Sequence, residues 1–184
     1  MAKLYTFLAA TTLIMLIAAG PAVAGTFPPF PPGHCAAGSC FGTSAGDTIT
    51  GTPDGQGLHG LAGADLIRGL EGNDFLTGDA GGDAVFGGPG KDTVEGNRGD
   101  DKVEGGRGSD KVNGGEGSDK VVGNKGNDRL LGGAGRDHVD GQDLGRAGIG
   151  GSDVLDCGPG FDTFEADFDD TVMPNCEKGV VGGS

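Results

Sequence analysis

The sequence has little material for a conventional hydrophobic core. It contains no tryptophan and one tyrosine, and 42 of its 184 residues are glycine. After an apolar run near the start, no stretch stays apolar for more than a few residues. A globular domain of this length normally buries one contiguous apolar cluster. Something besides aliphatic packing must therefore hold this chain together.

Motifs of the common catalytic sites are also missing. The only histidines are His34, His59 and His138, and the chain has no H-E-x-x-H, G-x-S-x-G or P-loop pattern. The formal net charge of −14 argues against a nucleic-acid partner, because a basic surface is what attracts phosphates. We expect a protein that is not an enzyme and does not bind nucleic acid.

What the chain does have is a nine-residue period. Residues 105–121 read GGRGSDKVNGGEGSDKV, with Asp110 and Asp119 nine residues apart. An aliphatic residue stands two after each aspartate of the series, and a glycine stands five before it, from Gly60 to Gly132. A glycine also stands two before each aspartate, at Gly63, Gly72, Gly81, Gly90, Gly99, Gly108, Gly117, Gly126 and Gly135. A disordered glycine-rich linker predicts no such phase, so the pattern indicates a repeat architecture.

Each unit predicts a short strand and a tight turn. The aliphatic residue and its two neighbours favour a strand that sends the aliphatic side chain inward. Four residues before each aspartate stands mostly Gly or Asn, as at Asn97 and Gly106, which tolerate positive φ. Two units make one coil of 18 residues, so units two apart stack. The fold class predicted is all-β.

Stacking places the aspartates in two columns and predicts a bound cation. Asp47, Asp65, Asp83, Asp101, Asp119 and Asp137 share one column, and Asp74, Asp92, Asp110 and Asp128 share the other. Carboxylates about 5 Å apart repel each other unless a cation lies between them. Oxygen ligands without His or Cys select Ca²⁺. One ion in each gap gives about eight ions, which accounts for the acidity.

The unit G-G-x-G-x-D-x-U-x resembles the RTX, or haemolysin-type, calcium-binding nonapeptide repeat. The resemblance implies a right-handed parallel β-roll in which the aspartates named above and carbonyls of the flanking glycine-rich turns hold calcium. We take the glycines two before each aspartate as those partners. Ala45 replaces that glycine before Asp47. Gln56 stands at the next aspartate position, with Asp54 where the glycine belongs, so we expect the Gln56 unit to be a poor site. Asp153 and Asp162 regain the spacing after a seven-residue insertion, and their occupancy is left open.

The two ends of the chain predict secretion and capping. Residues 1–24 read as a signal peptide, with Ala22-Val23-Ala24 as the cleavage motif, although a retained anchor is an alternative. Residues 25–41 form a proline-rich segment, residues 42–140 the roll, and residues 141–184 irregular repeats and a cap. Phe161, Phe164 and Phe168 are predicted to cover the last coil.

Four cysteines lie outside the regular repeats. They allow three pairings, of which Cys35–Cys40 with Cys157–Cys176 is favoured because each disulfide closes a local loop; a zinc site is the less favoured alternative.

The side chains of Leu66, Phe75 and Phe86 are predicted to point outward, either covered by the segment 27–41 or exposed for a partner. Two functions remain open. The first is a secreted protein that folds on binding calcium. The second is an adhesion or interaction protein in which calcium is only structural and a partner contacts an outward face formed by Phe75 and Phe86.

Overall fold

The computed structural model describes residues 38–143 and 151–182. Within these residues the chain forms sixteen short β-strands and no helix, so no helix there is long and apolar enough to cross a membrane. The all-β prediction is confirmed. The predicted signal peptide, residues 1–24, lies outside the described residues.

The strands alternate between two parallel sheets of eight strands each. Sheet A contains β1 (Ser39–Phe41), β3 (Gly57–His59), β5 (Phe75–Ala80), β7 (Thr93–Arg98), β9 (Lys111–Gly117), β11 (Arg129–Gly135), β13 (Val154–Asp156) and β15 (Thr171–Val172). Sheet B contains β2 (Thr48–Thr50), β4 (Leu66–Arg68), β6 (Ala84–Pro89), β8 (Lys102–Gly108), β10 (Lys120–Gly126), β12 (His138–Asp140), β14 (Thr163–Ala166) and β16 (Lys178–Val181). Each coil contributes one strand to each sheet.

The strand register confirms the predicted coil of 18 residues. Val94 pairs with Val112 in sheet A, and Val103 pairs with Val121 in sheet B. At the insertion the offset grows, so that Leu130 pairs with Leu155 without any change of column. The chain is therefore a parallel β-solenoid of about eight coils, and the extra residues leave its strands in phase.

The core is a single row of aliphatic side chains from each sheet. From Leu58 to Leu155, the aliphatic residue of every unit is fully buried, and its neighbours in the strand face outward. The row ends at Cys157 and Ala166, with Phe164, Val172 and Cys176 packed against it. Strand alternation explains this pattern, because alternate residues point inward, and the second inward residue of the longer strands, such as Gly105 in β8, is a glycine.

The turns have the predicted left-handed residue four before each aspartate. Asn97 and Asn124 have φ of 80° and 69°, and Gly106 has φ of 121°. In the first coils Leu61 and Leu70 hold the same position, with φ of 78° and 81°. Bulky residues are uncommon in this region of backbone space. The stacked coils thus impose the turn even where the local sequence does not favour it.

The C-terminal end is closed by the predicted disulfide. Cys157 and Cys176 are bonded, with their Cα atoms 5.1 Å apart. The other predicted pairing involves Cys35, which lies outside the described residues. The phenylalanine cap is correct only for Phe164, because Phe161 and Phe168 are 79% and 80% exposed.

The outward aromatic residues do not form one face. Phe75 lies in β5 of sheet A, whereas Phe86 lies in β6 of sheet B, so the prediction of a joint Phe75/Phe86 surface is wrong. Consecutive units alternate between the sheets, which sends their side chains to opposite sides of the solenoid. Phe41, the last residue of the segment predicted to cover them, stacks on His59 with ring centroids 4.7 Å apart. The rest of that segment up to residue 37 lies outside the described residues.

Candidate metal centre

The repeated aspartates lie directly before their strands and are almost completely buried. From Asp65 to Asp137, each of the nine is between 1% and 3% exposed. Two columns of stacked carboxylates run along the solenoid, one at each row of turns, in the order that the 18-residue coil requires. The structure therefore stacks, in the two predicted columns, the aspartate side chains that the sequence predicted as ligands.

One oxygen of each stacked carboxylate is bound to the backbone of the preceding coil. Asp83 N–H donates to Asp101 Oδ1 at 2.7 Å, and Asp101 N–H donates to Asp119 Oδ1 at 2.9 Å. The same bond recurs along both columns. A charged acceptor makes such bonds shorter and stronger than neutral ones. This ladder was not predicted from the sequence, and it fixes the orientation of every carboxylate.

The second oxygen of each carboxylate has no hydrogen-bond partner. Buried and unpaired are the Oδ2 atoms of Asp65, Asp74, Asp83, Asp92, Asp101, Asp110, Asp119, Asp128, Asp137, Asp153 and Asp162. A buried charged oxygen without a partner is strongly unfavourable, and native proteins rarely contain one. The eleven such atoms in the two columns therefore call for ligands of the opposite charge.

The acidity of these carboxyl groups reflects their surroundings. Burial raises the pKa of Asp92, Asp101, Asp110 and Asp128 to about 6, and that of Asp119 to about 7. The backbone N–H bond to each carboxylate lowers the pKa, but by less than burial raises it. Neighbouring carboxylates raise it further. Without a cation, these groups bind a proton more tightly than ordinary aspartates do.

The glycine five residues before each aspartate packs closely against the unpaired oxygen, so that a larger residue would not fit there. The point where a Cβ would lie on Gly96 is 2.5 Å from Asp101 Oδ2 and 2.5 Å from the carbonyl oxygen of Gly114, one coil later. The equivalent point on Gly87 is 2.6 Å from Asp92 Oδ2 and 2.5 Å from the Gly105 oxygen. Most units thus bring a carboxylate oxygen and a carbonyl oxygen close to the same glycine, whereas the atoms nearest Gly105 are all from Asp110. The sequence showed these glycines as part of the period but gave them no role.

The glycines two residues before each aspartate lie on the other side of the carboxylate. Gly99 and Gly117 have φ of 122° and 141°, and the point where a Cβ would lie on Gly117 overlaps the carbonyl oxygen of Gly99. The Cβ point of Gly90 is 3.0 Å from Asp92 Oδ1, the oxygen that already accepts an N–H. These glycines permit close stacking, and their role as ligands stays a prediction.

The N-terminal members of both columns have their oxygens satisfied locally. Thr43 donates to Asp47 Oδ2 through its backbone N–H at 2.6 Å and its hydroxyl at 2.8 Å. Gln56 occupies an aspartate position; its Oε1 accepts the Thr52 N–H at 2.8 Å and its Nε2 donates to Thr52 Oγ1 at 3.1 Å. Neither of the two is among the residues with an unpaired buried oxygen.

The C-terminal members extend both columns beyond the predicted repeats. Asp128 N–H donates to Asp153 Oδ1, and Asp137 N–H donates to Asp162 Oδ1, both at 2.8 Å. The columns then end at Asp170 Oδ1, which accepts the Asp153 N–H at 2.9 Å, and at a glutamate oxygen of Glu177, which accepts the Asp162 N–H at 2.8 Å. The nine-residue spacing signalled Asp153 and Asp162. Asp170 and Glu177 are out of phase, and nothing in the period indicated them.

The carboxylates are spread along the columns and do not cluster. In the part of the chain that the structure describes, no three Asp, Glu, His or Cys side chains converge on one point as metal ligands do. The repeating element is a single carboxylate beside backbone carbonyls. That composition is suited to a hard cation bound largely by the main chain.

These features define a class, a parallel β-solenoid with stacked, buried carboxylates in glycine-rich turns. Residues 58–85, 86–121 and 113–143 match the family model of the RTX calcium-binding nonapeptide repeat. Over residues 58–143 the chain is similar to the RTX calcium-binding repeat family, which confirms the resemblance inferred from the repeat unit. No curated protein matches the chain.

Proposed function

We propose that the protein is a secreted, non-catalytic β-roll that folds on binding several Ca²⁺ ions in its turns. The observation that carries this proposal is that eleven aspartate Oδ2 atoms in the two columns are buried and have no hydrogen-bond partner. The RTX family match supports calcium as the cation. A cation that binds only the stacked arrangement adds its binding free energy to the free energy of folding.

The ligands in this proposal are the aspartate Oδ2 atoms and carbonyl oxygens of the glycine-rich turns. Carbonyls of glycines such as Gly96 and Gly114, each close to the same glycine as an Oδ2, join those of the glycines two before each aspartate as candidates. With Asp153 and Asp162 in the columns, one ion in each gap between stacked aspartates gives about ten ions, against the eight that the repeats alone predict.

The leader in residues 1–24 supports a folding switch that operates outside the cell. Calcium modules that work outside cells bind the ion at about 0.1–1 mM, whereas cytosolic sensors bind it much more tightly. A chain exported without calcium would therefore fold where the ion is abundant. We assign it the role of a stable extracellular module.

The test is circular dichroism of the mature chain, residues 25–184, during a calcium titration from calcium-depleted buffer. We expect a largely disordered spectrum to become β-rich. Magnesium should substitute poorly, because it requires small octahedral sites and gives up water reluctantly. Asp101→Asn, which keeps the Oδ1 acceptor but removes the charge, should raise the calcium midpoint. Identical spectra with and without calcium would overturn the proposal.

A second candidate function is adhesion through an aromatic row on sheet A. The row consists of Phe41, His59 and Phe75; Phe41 and Phe75 are 64% and 42% exposed, and the His59 and Phe75 rings are 5.9 Å apart. Exposed aromatic side chains in contact are characteristic of surfaces that bind partners. In this function calcium only maintains the fold.

Retention at the cell surface separates the two functions. Phe75→Ser should release the protein from the surface fraction if the row binds a partner. Phe86→Ser is the matched control, because Phe86 lies on sheet B and packs against Lys102, with Nζ 4.8 Å from the ring centroid. Both variants should keep calcium-dependent folding. Equal retention of both variants and the parent would exclude the adhesion function.

A further inference from the structure

The C-terminal end of one carboxylate column differs from the repeats in what lies beside its unpaired oxygens. In most repeats, the glycine beside an Oδ2 also lies close to a carbonyl oxygen, as at Gly96. At Gly123, five residues before Asp128, the Cβ point is 2.7 Å from Asp128 Oδ2 and 3.2 Å from Asp153 Oδ2. A second carboxylate here takes the place that a carbonyl has elsewhere.

The next position along the column repeats this arrangement. The Cβ point of Gly141 is 3.3 Å from both Asp153 Oδ2 and Asp170 Oδ2, and the Leu155 Cδ1 methyl lies closer, at 2.8 Å. Asp153 Oδ2 therefore lies near two glycines: near Gly123 the second carboxylate is Asp128, and near Gly141 it is Asp170. Asp153 and Asp170 lie beyond residue 143, where the family match ends, so the repeat pattern does not describe this arrangement.

Asp128 and Asp153 are buried, Asp170 is half-buried, and no described cationic side chain pairs with any of the three. Asp153 is 0% exposed and Asp128 3%, and the Oδ2 of each has no hydrogen-bond partner. Asp170 Oδ2 accepts only the Asp167 N–H, at 2.6 Å, which leaves a lone pair free. The three ion pairs in the described residues all involve glutamates on the outer faces of the strands. No described lysine or arginine thus neutralises this group.

We propose that two carboxylate pairs, Asp128 with Asp153 and Asp153 with Asp170, form a second class of calcium site, distinct from the repeat sites and of higher affinity. The physical reason is charge. Two carboxylates at one ion attract it more strongly than one carboxylate and a neutral carbonyl, and calcium affinity rises with the number of charged ligands. Asp153 is shared by both pairs and is the central ligand. This inference rests on calcium as the proposed cation of the repeats.

Calorimetric titration of the mature, oxidised chain with CaCl₂ tests the inference. We expect one or two ions to bind at least about tenfold more tightly than the rest, a difference of about 1.4 kcal/mol. Asp153→Asn should abolish this tight class. Asp92→Asn is the matched control, because Asp92 lies in the same column and its Oδ1 also accepts an N–H. It should weaken the repeat sites and leave the tight class intact.

The outcomes separate this inference from the proposed function. A single class of ions that both variants weaken equally would overturn the inference and leave calcium binding by the repeats in place. A tight class lost only in Asp153→Asn, with no further ions bound, would support the inference and overturn the proposed repeat sites. Binding of no calcium would overturn both.

If Asp153→Asn fails to become β-rich at saturating calcium, Asp170→Asn replaces it as the test variant. This change spares the Asp128–Asp153 pair and should remove only part of the tight class. A tight class unchanged in Asp170→Asn would overturn the inference.

Discussion

Each repeated aspartate has two oxygens with different tasks. In Asp101, Oδ1 accepts the N–H of Asp83 and ties one coil to the next, whereas Oδ2 is buried and unpaired beside Gly96. The first oxygen positions the second, because the carboxylate cannot rotate without losing the bond. A single residue type thus supplies both the connection between coils and the candidate ligand, which explains why the period requires aspartate. Asparagine would keep the connection and lose the charge.

The first prediction concerns Gly96, the glycine that packs against the unpaired oxygen of Asp101. Gly96→Ala would place a methyl group 2.5 Å from both Asp101 Oδ2 and Gly114 O, closer than any side chain packs. Because backbone and a fixed carboxylate must move, we expect unfolding at saturating calcium to become easier by about 1–3 kcal/mol. The calcium midpoint should also rise. Denaturant unfolding and calcium titration measure the two effects.

A matched glycine outside the columns serves as the control. On Gly57 the nearest atoms to a Cβ are the side-chain atoms Ser39 Oγ at 3.0 Å and His59 Nε2 at 3.4 Å, which can shift. Gly57→Ala should change stability by less than about 1 kcal/mol and leave the calcium midpoint unchanged. Equal effects of the two substitutions would contradict a special role for the glycine beside Oδ2.

At the scale of the strand and the column, the raised pKa values of the stacked aspartates predict how pH changes stability. The folded pKa values of about 6 to 7 from Asp92 to Asp128 lie above the value near 3.9 of an unfolded chain. Between those values the folded, metal-free state binds more protons than the unfolded state. Its stability is therefore highest at low pH and is lost as pH rises through about 6 to 7.

We expect the metal-free chain to gain β structure on acidification. In calcium-depleted buffer, circular dichroism at pH 5 should show more β structure than at pH 8. In the presence of calcium, acidification should raise the calcium midpoint, since protons and calcium compete for the same oxygens. A metal-free spectrum that does not change between pH 8 and pH 5 would show that proton binding does not stabilise the stacked carboxylates.

The elements also show how far the sequence predicts this structure. One aliphatic residue per nine and a turn of Gly or Asn were enough to place strands, core and columns, since each unit repeats one local geometry. The sequence did not predict the non-periodic features. Among them are Asp170 and Glu177, which end the columns after irregular loops. The prediction of a Phe75/Phe86 surface is wrong for another reason: adjacent units lie in different sheets, so their outward side chains are on opposite sides of the solenoid.

At the scale of the whole molecule, each coil contacts only its neighbours. The stability of a coil therefore depends on the interfaces that it makes with the coils next to it. The C-terminal coils contain the disulfide between Cys157 and Cys176, which are separated by 19 residues. A loop of this length stabilises by roughly 3 kcal/mol in the chain-entropy model. That is enough to hold a marginal terminal coil but small against a stack of eight. Reduction should therefore act locally.

The last prediction is that reducing this disulfide frays the C-terminal coils first. At limiting calcium, hydrogen exchange should show loss of protection in β13 to β16, advancing toward Asp128 and Asp137 while the coils around Asp83–Asp101 stay protected. The N–H groups of Asp128 and Asp137 report the advance directly, because they donate to Asp153 and Asp162 in the frayed coils. The oxidised protein at the same calcium concentration is the control. Uniform loss of protection along all coils would mean that the solenoid unfolds as one cooperative unit, and the capping role of the disulfide would then be wrong.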